Sequence, residues 1–366
     1  FWLKPLAARD HCLAVAARAQ MKLYLLFFAF FTGLCASVIQ QLYAEQTQSW
    51  SEKILGPVAQ TAWKAGLMGK VAFKSFDDLG YKMPRPFMTH EHFAKVKDLL
   101  HSVSENEFVI STFWKCGTHL MMQVGVQLLG NGTTDFDNIH SQILFLDTVK
   151  LDCADGPIIK VDNYREMRPR RTLPVVTHFP TMLVPVQPSS KYAVMVRNPV
   201  DALASMRTHM SKRFGVYAPT LDIMYKAFFK GQEVMQGGYG WAEFYRDWWV
   251  QSQAHENVLF LFYEDAVENI EPSLWALASL LRVSATPELL ERVRHRSSFK
   301  FMKAQSRIFE PPKCTSGGAK VDMVNRGVVG GGKVSVPPAL LADMKAYYHR
   351  VLDGTGFPVE RYEHVF

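Results

Sequence analysis

The stretch from residue 108 to residue 125 constrains the fold more than any other part of the chain. It reads FVISTFWKCGTHLMMQVG, and its first five residues, Phe108–Thr112, form the β-branched and aromatic run of a buried parallel strand. A short turn follows, and an apolar helical pattern then runs over residues 118–128. A strand, a tight turn and a helix in this order predict an α/β fold.

The turn in this stretch predicts an anion site. Backbone N–H groups and the positive end of the helix dipole converge where such a helix begins, and Lys115 adds a full charge. A nucleoside-triphosphatase loop reads GxxxxGK[ST], whereas Lys115 precedes Gly117 here and the first Gly is absent. We therefore expect a phosphorylated ligand other than a Mg-nucleotide. A P-loop kinase is disfavoured. The alternative that involves no ligand is an ordinary strand–turn–helix with a solvated Lys.

Composition narrows the classes of partner. The 366 residues are 48% hydrophobic and 20% charged, which is globular composition. A net charge of +7 suits nucleic acid, an anionic membrane or an anionic small ligand. No basic run with interleaved aromatics is present, so we expect no nucleic-acid partner. The five cysteines form no CxxC pair, which predicts neither a disulfide framework nor a metal site.

The N-terminal region is predicted to be separate from the rest. Residues 23–39 are apolar and uncharged. They suit a signal peptide read from Met21, a signal anchor read from Phe1, or a buried helix of a soluble protein. The first two would place the body in the secretory lumen or on a membrane, and the third in the cytoplasm. We expect an extension over residues 1–45 and a single domain over residues 46–366.

The remaining pattern alternates strands with helices. Further buried strands are expected at residues 173–179, 192–196 and 258–263, with a short one at 158–161. Asp201 is expected to cap a helix that runs to about residue 210. Other helices are expected at residues 92–103, 241–253, 271–281, 287–294 and 339–352. The prediction is a mostly parallel sheet flanked by helices.

Several motifs occur in an order that resembles one family. ISTFWKCGTHL is similar to the loop STYPKSGTTW, and VMVRNPVDALASMRTH to a strand followed by RNPKD with a Ser eight residues after the Arg. VVTHFP is similar to KTHLP, RSSFKFMK to an adenine-contacting segment, and NRGVVGGGK to a diverged RKGxxGDWK. Through these motifs the chain resembles the cytosolic-type sulfotransferases. These enzymes move sulfonate from 3′-phosphoadenosine 5′-phosphosulfate (PAPS) to small acceptors, leaving 3′-phosphoadenosine 5′-phosphate (PAP).

The resemblance implies a P-loop NTPase-like sulfotransferase fold and a set of site residues. His178 would be the general base, Lys115 would stabilise the leaving phosphate, and Ser205 would hold Lys115 before the acceptor arrives. The residues implied to bind PAPS are Lys115, Cys116, Gly117, Thr118, His119, Leu120, Arg197, Ser205, Tyr263, Ser297, Phe299, Met302, Asn325, Arg326 and Gly327. No metal is implied.

The acceptor is expected to be small and apolar with one hydroxyl or amine, such as a phenol, alcohol, sterol, lipid or amine. Its pocket is expected from residues 86–90, 145–151 and 217–229. The chain also departs from the family at positions that surround PAPS, namely Trp114, Leu120, Val176, Asn325, Gly331 and Gly332. These departures motivate the alternative of a PAPS-binding pseudoenzyme with little or no transfer activity.

Overall fold

The central sheet has five parallel strands in the computed structural model of the protein. The residues that the structure describes are 57, 73–75, 82–84, 90–101, 107–147, 159–167, 172–214, 218–231, 239–311, 322–325 and 327–366. Two short strands, β1 (Phe73–Ser75) and β2 (Lys82–Pro84), pair antiparallel. The parallel strands are β3 (Phe108–Thr112), β4 (Leu144–Phe145), β5 (Pro174–Thr177), β6 (Lys191–Val196) and β7 (Val258–Phe262). Their order across the sheet is β4-β5-β3-β6-β7, which confirms the predicted α/β class.

Strand β3 lies at the centre of this sheet and fixes its register. It pairs with β5 on one side and β6 on the other, so that Ser111 lies opposite both Thr177 and Val194. Parallel strands end at the same edge of a sheet. The segments that follow β3, β5 and β6 therefore leave the sheet side by side, and they carry Lys115, His178 and Arg197.

Helices flank the sheet, as the alternating pattern predicted. Those between β2 and β6 are α1 (His90–His101), α2 (Thr118–Leu129) and α3 (Val161–Met167). Between β6 and β7 lie α4 (Pro199–Phe214), α5 (Leu221–Met224), a π-helical turn (Tyr225–Phe229) and α6 (Trp241–Ala254). After β7 come α7 (Tyr263–Glu268), α8 (Glu271–Leu281), α9 (Pro287–Ser297), α10 (Phe299–Ala304) and α11 (Pro338–Leu352).

The strands are buried on both faces, and successive side chains point to opposite sides. Val109, Val175 and Val194 face a core shared with α1, α3, α4, α6 and α11. Ile110 and Met195 face a second core shared with α2, α8 and α9. Two buried faces explain why these strands read as continuous apolar runs rather than alternating ones.

Most predicted elements are present within a few residues of their expected bounds, but residues 159–161, the described part of the strand expected at residues 158–161, are not a strand. Val161 begins α3, and it is buried together with Tyr164 at helical spacing. The sequence predicted a strand there because Ile159 and Val161 are both apolar and alternate with Lys160. Strand β4 was not predicted, because two residues are too few for a periodic signal.

The N-terminal predictions fall on a different part of the chain. Residues 23–39 and the expected boundary at residue 45 lie outside the described residues, so that both stay predictions. The elements from β1 onward belong to one compact unit, Ala62–Phe366. None of the described helices is long and apolar enough to cross a membrane.

Tyr245 of α6 ties the end of the central strand to its neighbour. Its hydroxyl accepts the backbone N–H of Phe113 at 3.0 Å and donates to the carbonyl of Met195 at 2.8 Å. Phe113 is the first residue after β3, and Met195 is near the end of β6. A single hydroxyl thus fixes where the loop that carries Lys115 leaves the sheet.

We predict that Tyr245→Phe lowers the free energy of unfolding by about 1–3 kcal/mol, because it leaves a buried N–H and a buried C=O without this partner. Tyr239→Phe is the matched control, since the Tyr239 hydroxyl is buried with no hydrogen-bond partner among the described residues. Urea denaturation of both variants tests the prediction. Equal losses for the two would show that the Tyr245 hydroxyl does not hold this corner.

Candidate active site

The loop between β3 and α2 is tightly constrained by what lies beneath it. Lys115 and Gly117 both have left-handed backbone angles, with φ of 63° and 94°. A Cβ at position 117 would lie 2.5 Å from the sulfur of Met195 and 2.8 Å from the Tyr263 ring. Only glycine fits there, so the loop lies flat against the ends of β6 and β7.

This loop opens onto the N-terminus of α2. The N–H groups of Thr118, His119 and Leu120 have no carbonyl partner within the helix, as in the first turn of any α-helix. Cys116 differs, because its N–H donates to the carbonyl of Phe113 at 3.2 Å. Burial raises the pKa of the Cys116 thiol to about 11, so it stays neutral and shapes the loop rather than adding charge.

Lys115 supplies the positive charge of the loop, although its surroundings disfavour the protonated form. Removal from water lowers its pKa to about 8, and the charge of Arg197 acts on the pKa in the same direction. A bound anion would oppose both effects. Binding of an anion at this loop is therefore coupled to protonation of Lys115.

Arg197, directly after β6, joins three segments of the site. Its Nη1 donates to the carbonyl of Lys115 at 3.3 Å and its Nη2 to the carbonyl of Val328 at 3.2 Å. Its guanidinium lies over the ring of Tyr263, 4.6 Å from the ring centre. The loop that carries Lys115 (residues 113–117), a glycine-rich loop (residues 327–333) and the start of α7 thus meet at one planar cation.

Asp201 does not cap α4 as expected; Asn198 does. The side-chain oxygen of Asn198 accepts the N–H of Asp201 at 2.7 Å. The Asp201 carboxylate instead accepts the N–H groups of Gly330 and Gly332 at 2.7 and 2.6 Å. The helix also starts earlier and ends later than predicted, at Pro199 and Phe214. Asp201 therefore anchors the glycine-rich loop beside Arg197.

Glu264 supports the same corner, although no motif in the sequence assigned a role to it. Its Oε1 accepts the backbone N–H of Asn198 at 2.9 Å, and its Oε2 accepts the hydroxyl proton of Tyr362 at 2.9 Å. A C-terminal tyrosine thereby reaches the turn that carries Arg197. The one signal in the sequence was the acidic pair of Glu264 and Asp265 shortly after a buried strand.

His178 follows β5 and has a defined protonation pattern. Its Nδ1 lies 2.7 Å from the carbonyl oxygen of Thr112. A carbonyl only accepts, so Nδ1 carries the proton and Nε2 keeps its lone pair. Burial lowers the pKa of His178 to about 4, and the charge of Lys115 acts in the same direction. The imidazole is therefore neutral near pH 7, with Nε2 available to accept a proton.

Aromatic rings surround this imidazole. The rings of Phe145 and Trp114 stand edge-on to it, with centres 5.4 and 6.2 Å away. Phe228, from the π-helical turn, lies 5.5 Å from Trp114. These side chains belong to or adjoin the expected acceptor pocket, whose residues 86–89, 148–151 and 217 lie outside the described residues.

The other residues implied to bind nucleotide lie along α4, α9, α10 and the glycine-rich loop. Ser205 is two turns beyond Arg197 on α4. Phe299 packs on Gly327, where a Cβ would lie 2.4 Å from the ring. Met302 is buried in the second core, and Asn325 is half-buried. Arg326 lies outside the described residues.

Three of the implied residues carry buried polar atoms that have no hydrogen-bond partner within the described part of the chain. They are Nε of Arg197, Nε2 of His119 and Oγ of Ser297. Arg197 bonds to the loop that carries Lys115, and His119 directly follows that loop. Because buried polar atoms are usually bonded, the unpartnered atoms of these two residues indicate where a polar ligand binds. The residues present thus fit an anionic nucleotide. Among the residues that the structure describes, no group of three or more His, Cys, Asp or Glu side chains could hold a metal ion.

Comparisons with known proteins find similar sequences and structures. A family model described as a sulfotransferase domain matches residues 105–356. Sulfotransferase 1E1 of Bos taurus is 28% identical over 220 residues, covering 58% of this chain and 72% of its own. Sulfotransferase 1E1 of Mus musculus is 24% identical over 250 residues, covering 66% of this chain and 82% of its own.

Solved structures share the fold. Mouse sulfotransferase SULT7A1 complexed with PAP aligns with a TM-score of 0.59 and 17% identity, over 80% of this chain and 99% of that one. Retinol dehydratase in complex with androsterone and inactive cofactor PAP aligns with a TM-score of 0.60 and 15% identity, over 80% and 95%.

Ligand binding in this site should depend on pH through Lys115. Its pKa of about 8 means that the ammonium loses its proton above that pH, and a neutral amine attracts phosphate weakly. We predict that the affinity for PAP falls as the pH rises through about 8. Isothermal titration at several pH values on either side of this pKa measures the effect.

Lys115→Arg is the control, because a guanidinium stays charged throughout this range. Its affinity should be flat over the same interval. An affinity of the unchanged protein that stays constant as the pH rises through about 8 would contradict a role for the Lys115 charge.

Proposed function

Since this chain belongs to the sulfotransferase family, we propose that it transfers the sulfonate of PAPS to a hydroxyl or amine of a small, apolar acceptor. One observation carries the proposal. The neutral imidazole of His178, with Nε2 free, stands at the sheet edge where Lys115 and Arg197 supply positive charge. A proton acceptor beside an anion site is what sulfonate transfer to a hydroxyl or amine requires.

Arg197 and Ser205 are proposed to bind the 3′-phosphate of the donor. The guanidinium is already oriented by two carbonyls and by the Tyr263 ring, which leaves its buried Nε to be satisfied by a ligand. A planar fork suits phosphate oxygens. Since that phosphate distinguishes PAPS from ATP, the residue would select the donor.

The transfer step is proposed to run through His178 and Lys115. As the acceptor oxygen or nitrogen forms a bond to sulfur, its proton passes to Nε2 of His178. The bond between sulfur and the bridging oxygen of the 5′-phosphate breaks on the opposite side, and its electrons stay on PAP. Lys115 stabilises the charge that develops on that oxygen, and the free N–H groups of α2 hold the phosphate.

The acceptor is proposed to be apolar because the rings of Trp114, Phe145 and Phe228 surround the approach to His178. Such a lining favours a flat or aliphatic body that presents one polar group. Retinol dehydratase, which shares the fold, was solved in complex with androsterone.

A PAPS-binding protein with little or no transfer activity is the second candidate. Val176 motivates it, because this side chain is fully buried in the second core. The position that carries a Lys in the related motif therefore supplies no positive charge to the sulfonate. Lys115 would then act alone on the transferred group.

We predict that the protein sulfonates at least one member of a panel of a phenol, a primary alcohol, a sterol and an amine, with radiolabelled PAPS as donor. His178→Ala should lower kcat by about 10²- to 10⁴-fold, the contribution typical of a general base, while PAP affinity stays the same. The exposed His255 provides the control, and His255→Ala should leave kcat unchanged.

Two outcomes would contradict parts of this proposal. A His178→Ala variant with unchanged kcat would contradict the assigned base. A protein that binds PAP but transfers nothing to any acceptor would favour the second candidate.

A further inference from the structure

Asp147 contacts the two residues at the end of β5 without being part of that strand. It lies two residues beyond β4 and is 3% exposed. Its Oδ1 accepts the hydroxyl proton of Thr177 at 2.7 Å, and its Oδ2 accepts the backbone N–H of His178 at 2.6 Å. Both carboxyl oxygens are therefore bonded to the segment that carries the assigned base.

We propose that Asp147 is a positioning residue for proton transfer, which fixes the backbone of His178 so that Nε2 faces the acceptor. The inference rests on the proposed function, because it gives a role to His178. It adds a residue from the end of β4 to a site otherwise built from the ends of β3, β5 and β6.

The His178 residue is then held from two directions. Asp147 holds its backbone N–H from the β4 side, and the Thr112 carbonyl holds its ring Nδ1 from the β3 side. Thr177 reinforces the turn, since its hydroxyl oxygen also accepts the N–H of Phe179 at 2.9 Å. Two fixed points on one residue leave the imidazole little freedom to rotate, as preorganised proton transfer requires.

Without Asp147, the N–H of His178 and the Thr177 hydroxyl would both lose a buried partner. A movement of about 1 Å at a reacting group costs about 100-fold in rate. Loss of the carboxyl would therefore affect proton transfer through the position of His178, because Asp147 bonds to the backbone of that residue.

The buried carboxyl also carries a cost in stability. Burial raises the pKa of Asp147 to about 7, although the hydrogen bonds from Thr177 and His178 act in the opposite direction. The nearby titratable groups among the described residues are His178 after β5 and His92 on α1, which bonds to the Leu146 carbonyl at 3.0 Å. His178 supplies no positive charge near pH 7 to compensate an ionised Asp147, since burial also lowers its pKa.

This cost makes the stability of the folded protein depend on pH. A folded-state pKa above the unfolded value means that the native protein holds the proton more tightly, so stability is lost as pH rises from about 4 to about 7. Asp147→Asn removes the charge but keeps the shape. It should raise the thermal midpoint relative to the unchanged protein above that pKa of about 7, and much less so well below it.

The test compares Asp147→Asn and Asp147→Ala with Asp162→Asn, a change of the same type at a carboxylate that is exposed and paired with Lys95. We expect kcat to fall about 10- to 100-fold in the Ala variant, as is typical for loss of an orienting partner, and less in the Asn variant. The KM for PAPS and the affinity for PAP should stay the same. The Asp162 variant should match the unchanged protein.

A second readout does not depend on activity. The imidazole ¹⁵N and ¹H resonances of His178 should show one tautomer, protonated at Nδ1, in the unchanged protein and averaged tautomers in Asp147→Ala. If the unchanged protein transfers no sulfonate, the proposed function fails while this readout still decides whether Asp147 fixes His178. A retained Nδ1 proton signal in the Ala variant, together with an undiminished kcat wherever activity is measurable, would overturn the inference.

Discussion

The parallel pairing of β3 with both β5 and β6 is the constraint on which the site depends. Because Ser111 is level with Thr177 and Val194, three neighbouring strands end together. Lys115, His178 and Arg197 are far apart along the chain and arrive at one edge only through this register. A shift of one residue in either pairing would turn the following side chains to the opposite face of the sheet. Tyr245 contacts both strand ends and limits such a shift.

The site holds its charges in an arrangement that favours an anion. Lys115 and Arg197 lie close enough for each charge to oppose the other, and burial adds to the cost. Carbonyl oxygens, an aromatic face and the Asp201 carboxylate hold Arg197, but none of them neutralises Lys115. A bound anion would therefore offset the electrostatic repulsion and the desolvation of Lys115 that are already present in the folded protein. The same surroundings keep His178 neutral, so the cationic and proton-accepting parts of the site are compatible.

Much of this could be predicted from the sequence, because the strong signals are local. The run before Lys115 and the strand before Arg197 are long, apolar and bounded by turns, and such patterns identify buried strands directly. His178 was predicted from its motif, and the structure explains its tautomer. Asp147 and Asn198 could not be predicted, because their partners are set by how β4 and β6 end. Their roles depend on hydrogen bonds across the sheet edge, and no periodicity in the chain encodes those.

The comparison of PAP with ADP as stabilising ligands tests the central claim most directly. The two differ by the 3′-phosphate that Arg197 is assigned to read, and a ligand that binds only the native state raises the midpoint according to its concentration over its Kd. We predict a clearly larger thermal shift with PAP than with ADP at matched concentration, and a PAP shift reduced to the ADP level in Arg197→Ala. Equal shifts for PAP and ADP in the unchanged protein would contradict it.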